Sequence, residues 1–338
     1  MAVDSLPTNR RYWLLTMPRT ASNMLVRVLN LDEQGVRPAF QGGYFFFLSV
    51  VARLHLYCKG SKWTPEDYAS VEKSFKESFD ALQDYLEAAE KGSQKVFVKE
   101  HISFFNEAHY EYEEMYGPVP GENSPPKPLS ARGFAHSTRS SLNRTALPDE
   151  FLKTWHPTFL IRHPALMLSS LYRTAQKDVE VYGHRRLNKQ PFDIEASTKF
   201  VRALYDFYTN YFGENSQWPV VLDADDVIMY PELVLKYAGL VGLDPNKVRF
   251  SWEKASQEKV DKLLPSVQVM LSTINASTGV DKGKIAGNID IDAEAEKWRT
   301  EFGEEGGRKL EKWVRDAMPD YEYLRSRRLT LDSCNPSG

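Results

Sequence analysis

Four short, nearly continuous apolar runs punctuate the sequence, and between them apolar positions recur at three- and four-residue steps. Runs of the first kind make strands buried on both faces, and the wider spacing makes helices that cover them. Tyr12 to Met17 is the first run, and Pro18 stops it. A polar turn comes next, Arg19-Thr20-Ala21-Ser22-Asn23, and then Met24, Leu25, Val28 and Leu29 mark one side of a helix. Gln94 to His101 is the second run, Thr158 to Ile161 the third and Pro219 to Leu222 the fourth. Strands separated by helices imply a parallel sheet with right-handed crossovers. The expected class is therefore α/β, three layers deep, with a central mostly parallel sheet flanked by helices.

The stretches between the strands add detail. Gly42 to Tyr57 reads as an aromatic helix with Tyr44, Phe45, Phe46 and Phe47 at its start, either core or the wall of an apolar pocket. Thr64-Pro65-Glu66-Asp67 is a helix start, and Tyr68, Val71, Phe75, Phe79, Leu82 and Leu86 continue it as a long amphipathic helix. The region 117–134 carries five prolines and is expected to be a mobile loop. Arg132, His136, Arg139 and Arg144 give its end and the next few residues a positive character, as a solvated face or as a lid over phosphates. Tyr230-Pro231 opens a helix ending near Gly242, and two short helices close the chain through Trp298, Leu310, Trp313 and Tyr321. Residues 1–330 are read as a single domain and 331–338 as a tail.

The chemistry falls at the ends of the strands, where open α/β sheets hold their ligands. The turn after Tyr12–Met17 opens a helix, whose free N–H groups and positive end suit a phosphate, with Thr20 and Ser22 as hydroxyl donors and Arg19 as a forked cation. No glycine lies between Arg11 and Asn30, so the Gly-x-x-x-x-Gly-Lys-Ser/Thr loop of nucleotide hydrolases is absent and a kinase is disfavoured. Lys99 and His101 end the second strand. Arg162 ends the third, with Pro164 in the first turn of the next helix and Ser170 two turns along it.

Composition narrows the class. Apolar content of 42% and charged content of 26% are those of a globular protein, and a net charge of −3 argues against nucleic acid as a partner. The two cysteines, Cys58 and Cys334, offer neither a disulfide framework nor a metal cluster. The first residues lack the basic and apolar regions of a signal peptide, and the apolar run from Tyr44 to Ala52 is too short to span a membrane. A cytoplasmic setting without membrane attachment is expected.

Taken together, the motifs resemble the sulfotransferases that use 3′-phosphoadenosine 5′-phosphosulfate (PAPS), over about Tyr12 to Ile289. Pro18-Arg-Thr-Ala-Ser-Asn-Met24 is similar to that family's Pro-Lys-Ser-Gly-Thr-Thr-Trp phosphosulfate loop. Lys99-Glu-His101 resembles its Lys-Thr-His, and Arg162-His-Pro through Ser170 its 3′-phosphate motif. Ser251-Trp252 resembles its Ser-Phe, while the closing Arg-Lys-Gly-x-x-Gly is only echoed by Ser277-Thr-Gly279 and Lys282-Gly-Lys284. Arg19, Asn23 and Met24 depart from the family's Lys, Thr and Trp.

The resemblance implies a P-loop-like sulfotransferase fold and transfer of a sulfuryl group from PAPS, leaving the product PAP, with no metal. Catalytic roles fall to His101 as general base, Lys99 and Arg19. Cofactor contacts fall to Arg19, Thr20, Ala21, Ser22 and Asn23 at the 5′ end, Arg162 and Ser170 at the 3′-phosphate, and Ser251, Trp252 and Lys282. The acceptor is expected to be a small, aromatic or apolar hydroxyl compound, on the aromatic density of Tyr44 to Phe47, Phe104, Phe105, Tyr110 and Tyr182. Sulfation-coupled elimination, another reaction of specialised metabolism, or PAP binding without catalysis are the alternatives. Oligomeric state is left open.

Overall fold

A computed structural model describes residues 10–119, 126–182, 190–263 and 265–332, with the side chains of 40, 41, 178–182 and 266 outside that description. Four parallel strands, β1 (Arg11–Thr16), β2 (Val96–His101), β3 (Trp155–Ile161) and β4 (Val220–Asp223), form one sheet in the order β2-β1-β3-β4. Each expected run is a strand, and among the described residues the sheet is wholly parallel. The order places β1 in the middle. The turn after it therefore lies between the ends of β2 and β3.

Alternation along the strands feeds two cores. Trp13 and Leu15 join Val98, Phe159 and the helices Pro65–Lys91, Pro164–Tyr182, Lys199–Phe212 and Ile291–Arg325. Leu14 joins Phe97, Leu160 and the helices Ser22–Leu29 and Pro231–Leu240 on the other face. The sheet is thus sandwiched, in three layers. The same alternation decides the site. Leu14 pairs with Lys99 and Thr16 with His101, so those two side chains belong to the face carrying the helix Ser22–Leu29, and Glu100 to the opposite one.

Local signals held where they were strong. Thr64 caps the helix Pro65–Lys91 in a full capping box with Asp67. Pro164 opens the helix Pro164–Tyr182, as its position after Arg162 predicts.

Three expectations need correction. The aromatic segment is not one helix from Gly42. A short 3₁₀ turn ends at Gly43, whose φ of 110° no side-chain-bearing residue adopts easily, and the helix proper is Phe47–Tyr57. Two helices close the chain as expected, meeting at a kink at Gly303, where φ is 77°, within the run Ile291–Arg325, but the second of them is not short. Of the two readings of the basic residues at the end of the proline-rich region, the solvated face stands and the lid needs correction. Arg132 bonds Asp84 at 2.5 Å and Glu87 at 3.0 Å on the long helix, and Arg139 bonds Glu107 at 3.1 Å. These contacts tie the segment down and leave Arg132 and Arg139 little freedom to close over an anion.

Within the proline-rich stretch, residues 120–125 fall outside the described residues, as does the tail beyond 332. Cys334 and the side chain of Tyr182 lie there too.

Candidate active site

The turn after β1 is built on two non-glycine residues in left-handed backbone, Arg19 at φ 70° and Ala21 at φ 64°. That conformation costs a Cβ-bearing residue about 1–2 kcal/mol. It turns the backbone sharply so that the helix Ser22–Leu29 starts directly beneath β1. Among the described residues no side chain caps Ala21, so the first N–H groups of this helix remain available to a ligand. Thr20 is buried, and its hydroxyl donates to the Met17 carbonyl at 2.9 Å, which fixes the turn. Ser22 is buried at the helix start, near the Tyr44 side chain.

Two arginines join this turn to the end of β3. Arg162 Nη1 donates to the Arg19 carbonyl at 3.1 Å, and Arg19 Nε donates to Ser170 Oγ at 2.9 Å. Arg19 Nη1 also reaches the Met270 carbonyl at 3.0 Å, and Arg162 Nη2 the Lys284 carbonyl at 2.9 Å. Arg162 Nε is buried with no partner among the described residues, a donor that a bound anion would satisfy.

The end of β2 supplies the other wall. Lys99 Nζ donates to Asn23 Oδ1 on the helix after the turn, and lies 4.0 Å from the centroid of the Tyr44 ring. Burial pulls its pKa down to about 7. His101 is buried between the Tyr44 ring at 4.7 Å and the edge of Phe104 at 4.9 Å. Its Nδ1 lies 2.6 Å from Thr16 Oγ1, and that hydroxyl donates to the Glu100 carbonyl at 3.3 Å. In the tautomer in which Nδ1 donates to that hydroxyl, Nε2 keeps its lone pair. Burial, and then the charges of Lys99 and Arg19, hold the His101 pKa well below the ordinary 6.5. The ring is therefore neutral at pH 7.

Glu100 faces away from this pair. Its carboxylate accepts the His101 N–H at 3.0 Å and the Phe46 N–H at 3.1 Å, and burial raises its pKa to about 8. Thr16 takes part in the site although no motif includes it, Glu100 enters as the middle residue of Lys99-Glu-His101 with no role assigned to it, and Tyr44 and Phe104 enter from the aromatic set expected near the acceptor. Only its strand-end position signals Thr16 in the sequence.

The structure gathers Arg19, Thr20, Ala21, Ser22, Asn23, Lys99, His101, Arg162 and Ser170 around one mouth at the carboxyl ends of β1, β2 and β3. Ser251 and Trp252 sit along the outer side of the Ser22–Leu29 helix. Ser251 bridges Gly279, and Trp252 bonds Ser277 Oγ at 3.2 Å under the Arg27 guanidinium, 5.8 Å from the ring centroid. Lys282 is exposed on a one-turn 3₁₀ helix, and it is its neighbour Lys284 whose carbonyl meets Arg162. Among the described residues no group of His, Cys, Asp and Glu is arranged to hold a metal, and no helix is long and apolar enough to cross a membrane.

No family model matches the chain. Among curated proteins, the sulfotransferase ppzF of Metarhizium rileyi is 41% identical over 95% of this chain and 97% of its own length. The protein of the same name from Metarhizium majus is 40% identical over the same shares. Among solved structures, the sulfotransferase domain of the Synechococcus PCC 7002 olefin synthase covers 86% of this chain and 91% of its own. It aligns at 13% identity and a TM-score of 0.40, too distant to bear on the site. Identity at this level over nearly the whole of both fungal proteins leaves no room for a different assignment: the chain belongs to the sulfotransferase family.

Proposed function

We propose that this sulfotransferase moves the sulfuryl group of PAPS to the hydroxyl of a small, aromatic or apolar acceptor, with His101 as general base. The observation that carries the reading is the joining of Arg19 to residues 143 and 151 positions away, Arg162 through the Arg19 carbonyl and Ser170 through the Arg19 side chain. A cluster of donors with an unsatisfied guanidinium N–H, beside an uncapped helix start, suits a ligand carrying phosphates at two places.

When bound, PAPS supplies an activated sulfuryl group on a phosphate leaving group, together with the 3′-phosphate that separates it from ordinary nucleotides. Arg162 and Ser170 hold the 3′-phosphate. The backbone amides of Thr20, Ala21, Ser22 and Asn23 would hold the 5′-phosphate; the Thr20 hydroxyl, expected as a donor there, is spent on the Met17 carbonyl instead. Trp252 offers a ring face for the base, with Ser251 and Lys282 as outer contacts. Transfer of this kind goes through a loose, in-line transition state, in which positioned charge does most of the work. Arg19 and Lys99 provide that charge from two sides. Arg19 cannot lose its proton and stabilises charge only. His101 takes the acceptor's hydroxyl proton at Nε2. Tyr44 and Phe104, in tilted and edge-on contact with His101, and Phe47 beside Phe104 favour an apolar or aromatic acceptor.

The test is turnover of PAPS to PAP over a panel of phenols and alcohols, with mass analysis of the products. A stable gain of one sulfuryl group is expected; a product that has lost the oxygen instead points to elimination. His101→Ala should lower turnover by about two to four orders of magnitude while PAP affinity, read by calorimetry, is kept. Near-normal turnover in that variant overturns the base. The acid limb of kcat/KM should lie below the ordinary histidine value of 6.5.

A further inference from the structure

Tyr44 belongs to none of the motifs, yet it touches both halves of the site. Its ring face lies 4.0 Å from the Lys99 ammonium and its centroid 4.7 Å from that of His101. Its hydroxyl lies near Ser22, at the start of the helix after the turn. The segment is pressed into place from below. A Cβ on Gly43 would fall 2.5 Å from the Lys99 carbonyl oxygen, so only glycine allows the chain to lie so close to β2. Glu100, from the far face of the same strand, accepts the Phe46 N–H two residues beyond Tyr44. A side chain that merely filled space would not need so many separate restraints on its backbone.

The groups that act on Lys99 are few. Asn23 Oδ1 is its hydrogen-bond acceptor, Glu100 is the neighbouring carboxyl that favours its charge, and His101 and Arg19 are the other titratable or cationic groups close by. Burial opposes the charge, and a neutral His101 gives none to balance it. A ring face attracts an ammonium through its quadrupole, and the attraction is larger where water is excluded.

We propose that Tyr44 is a positioning residue for the transfer: its ring face keeps the Lys99 side chain an ammonium and holds it at the phosphate turn beside His101. The proposal rests on the PAPS reading of the site. It gives the chain a lysine whose charge depends on an aromatic residue more than 50 positions away, and it explains why Gly43 and Glu100 pin the segment between them.

The experiment replaces Tyr44 by a series of nearly equal shape and falling ring quadrupole: Tyr44→Phe, then the same position carrying 3,5-difluorophenylalanine and 3,4,5-trifluorophenylalanine. Calorimetry measures PAP and PAPS affinity for each at pH 6 and pH 8. The two nucleotides differ only by the sulfuryl group that Lys99 faces. A weaker ring attraction lowers the pKa of Lys99, so above pH 7 PAPS binding must first recover a proton. PAPS affinity at pH 8 should therefore fall stepwise along the series, about fivefold at the trifluoro ring, with PAP affinity constant within about twofold. At pH 6, where the lysine is charged in every member, the differences should vanish. A flat PAPS series at pH 8, or a parallel fall for PAP, overturns the role of Tyr44 and leaves the donor assignment standing. Failure of the unaltered protein to bind either nucleotide overturns the donor assignment, and the role of Tyr44 with it.

Discussion

The end of β2 and the strap that runs from residue 253 to 287 flank the turn after β1 by opposite means. Every residue of β2 is buried, and the turn after it is gripped from within by Arg53. That side chain donates to the carbonyls of Ser103, Phe104 and Asn106 and pairs with Glu111 at 2.9 Å. Glu111 in turn takes bonds from Tyr57 and Asn106. In the strap, no described residue is buried. It is held by polar contacts, among them Arg19 to Met270, Arg162 to Lys284, and the Ala286 and Gly287 N–H groups to Asp225.

The contrast teaches where rigidity is placed. The proposed base and its lysine neighbour are preorganised on the sheet, where a shift of an ångström would cost turnover. The strap is fastened partly by the two arginines proposed to bind phosphates, so donor binding and strap position share the same guanidinium groups.

The largest expected effect is at Arg53. Arg53→Met leaves a buried carboxylate and three carbonyls without their cation, and should cost about 3–5 kcal/mol in denaturant unfolding. A cost under about 1 kcal/mol would mean that the β2 side is not held from within. Asp225→Ala should act on the other region and more weakly, by about 1 kcal/mol, with amide-exchange protection lost between 277 and 290 and kept in β2. Loss of protection in both regions would erase the distinction between them. The smallest effect is in the turn. Ala21→Gly should raise stability by about 0.5–1 kcal/mol, since relief of the left-handed strain exceeds the entropy that glycine adds to the unfolded chain. A lower melting temperature would show that the alanine methyl is needed for packing.

The sheet was legible because each strand is a nearly unbroken apolar run closed by a proline or a polar turn, as at Met17-Pro18. The strand-end positions of Arg19, His101 and Arg162 were legible because each follows such a run, but the strand order that brings those ends together was not. Restraints between distant positions could not be read. The aromatic segment looked like helix from Gly42, but Gly43 lies on the backbone of Lys99 and the Phe46 N–H goes to Glu100, so the helix waits until Phe47. The pairing of Arg53 with Glu111 and of Thr16 with His101 leaves no periodic trace in either partner's surroundings. The basic stretch around Arg132 and Arg139 looked open to anions because the acids of the long helix that meet Arg132 lie some 45 positions earlier in the chain.

One titration series bears on the whole account: calorimetry of PAP, AMP and adenosine 5′-phosphosulfate with the unaltered protein and with Arg162→Ala. The unaltered protein should bind PAP far more tightly than AMP, and Arg162→Ala should weaken PAP by about 10- to 100-fold while adenosine 5′-phosphosulfate changes little. Equal losses for both ligands, or no preference for PAP over AMP, would contradict the claim that three strand ends meet to hold a doubly phosphorylated adenosine.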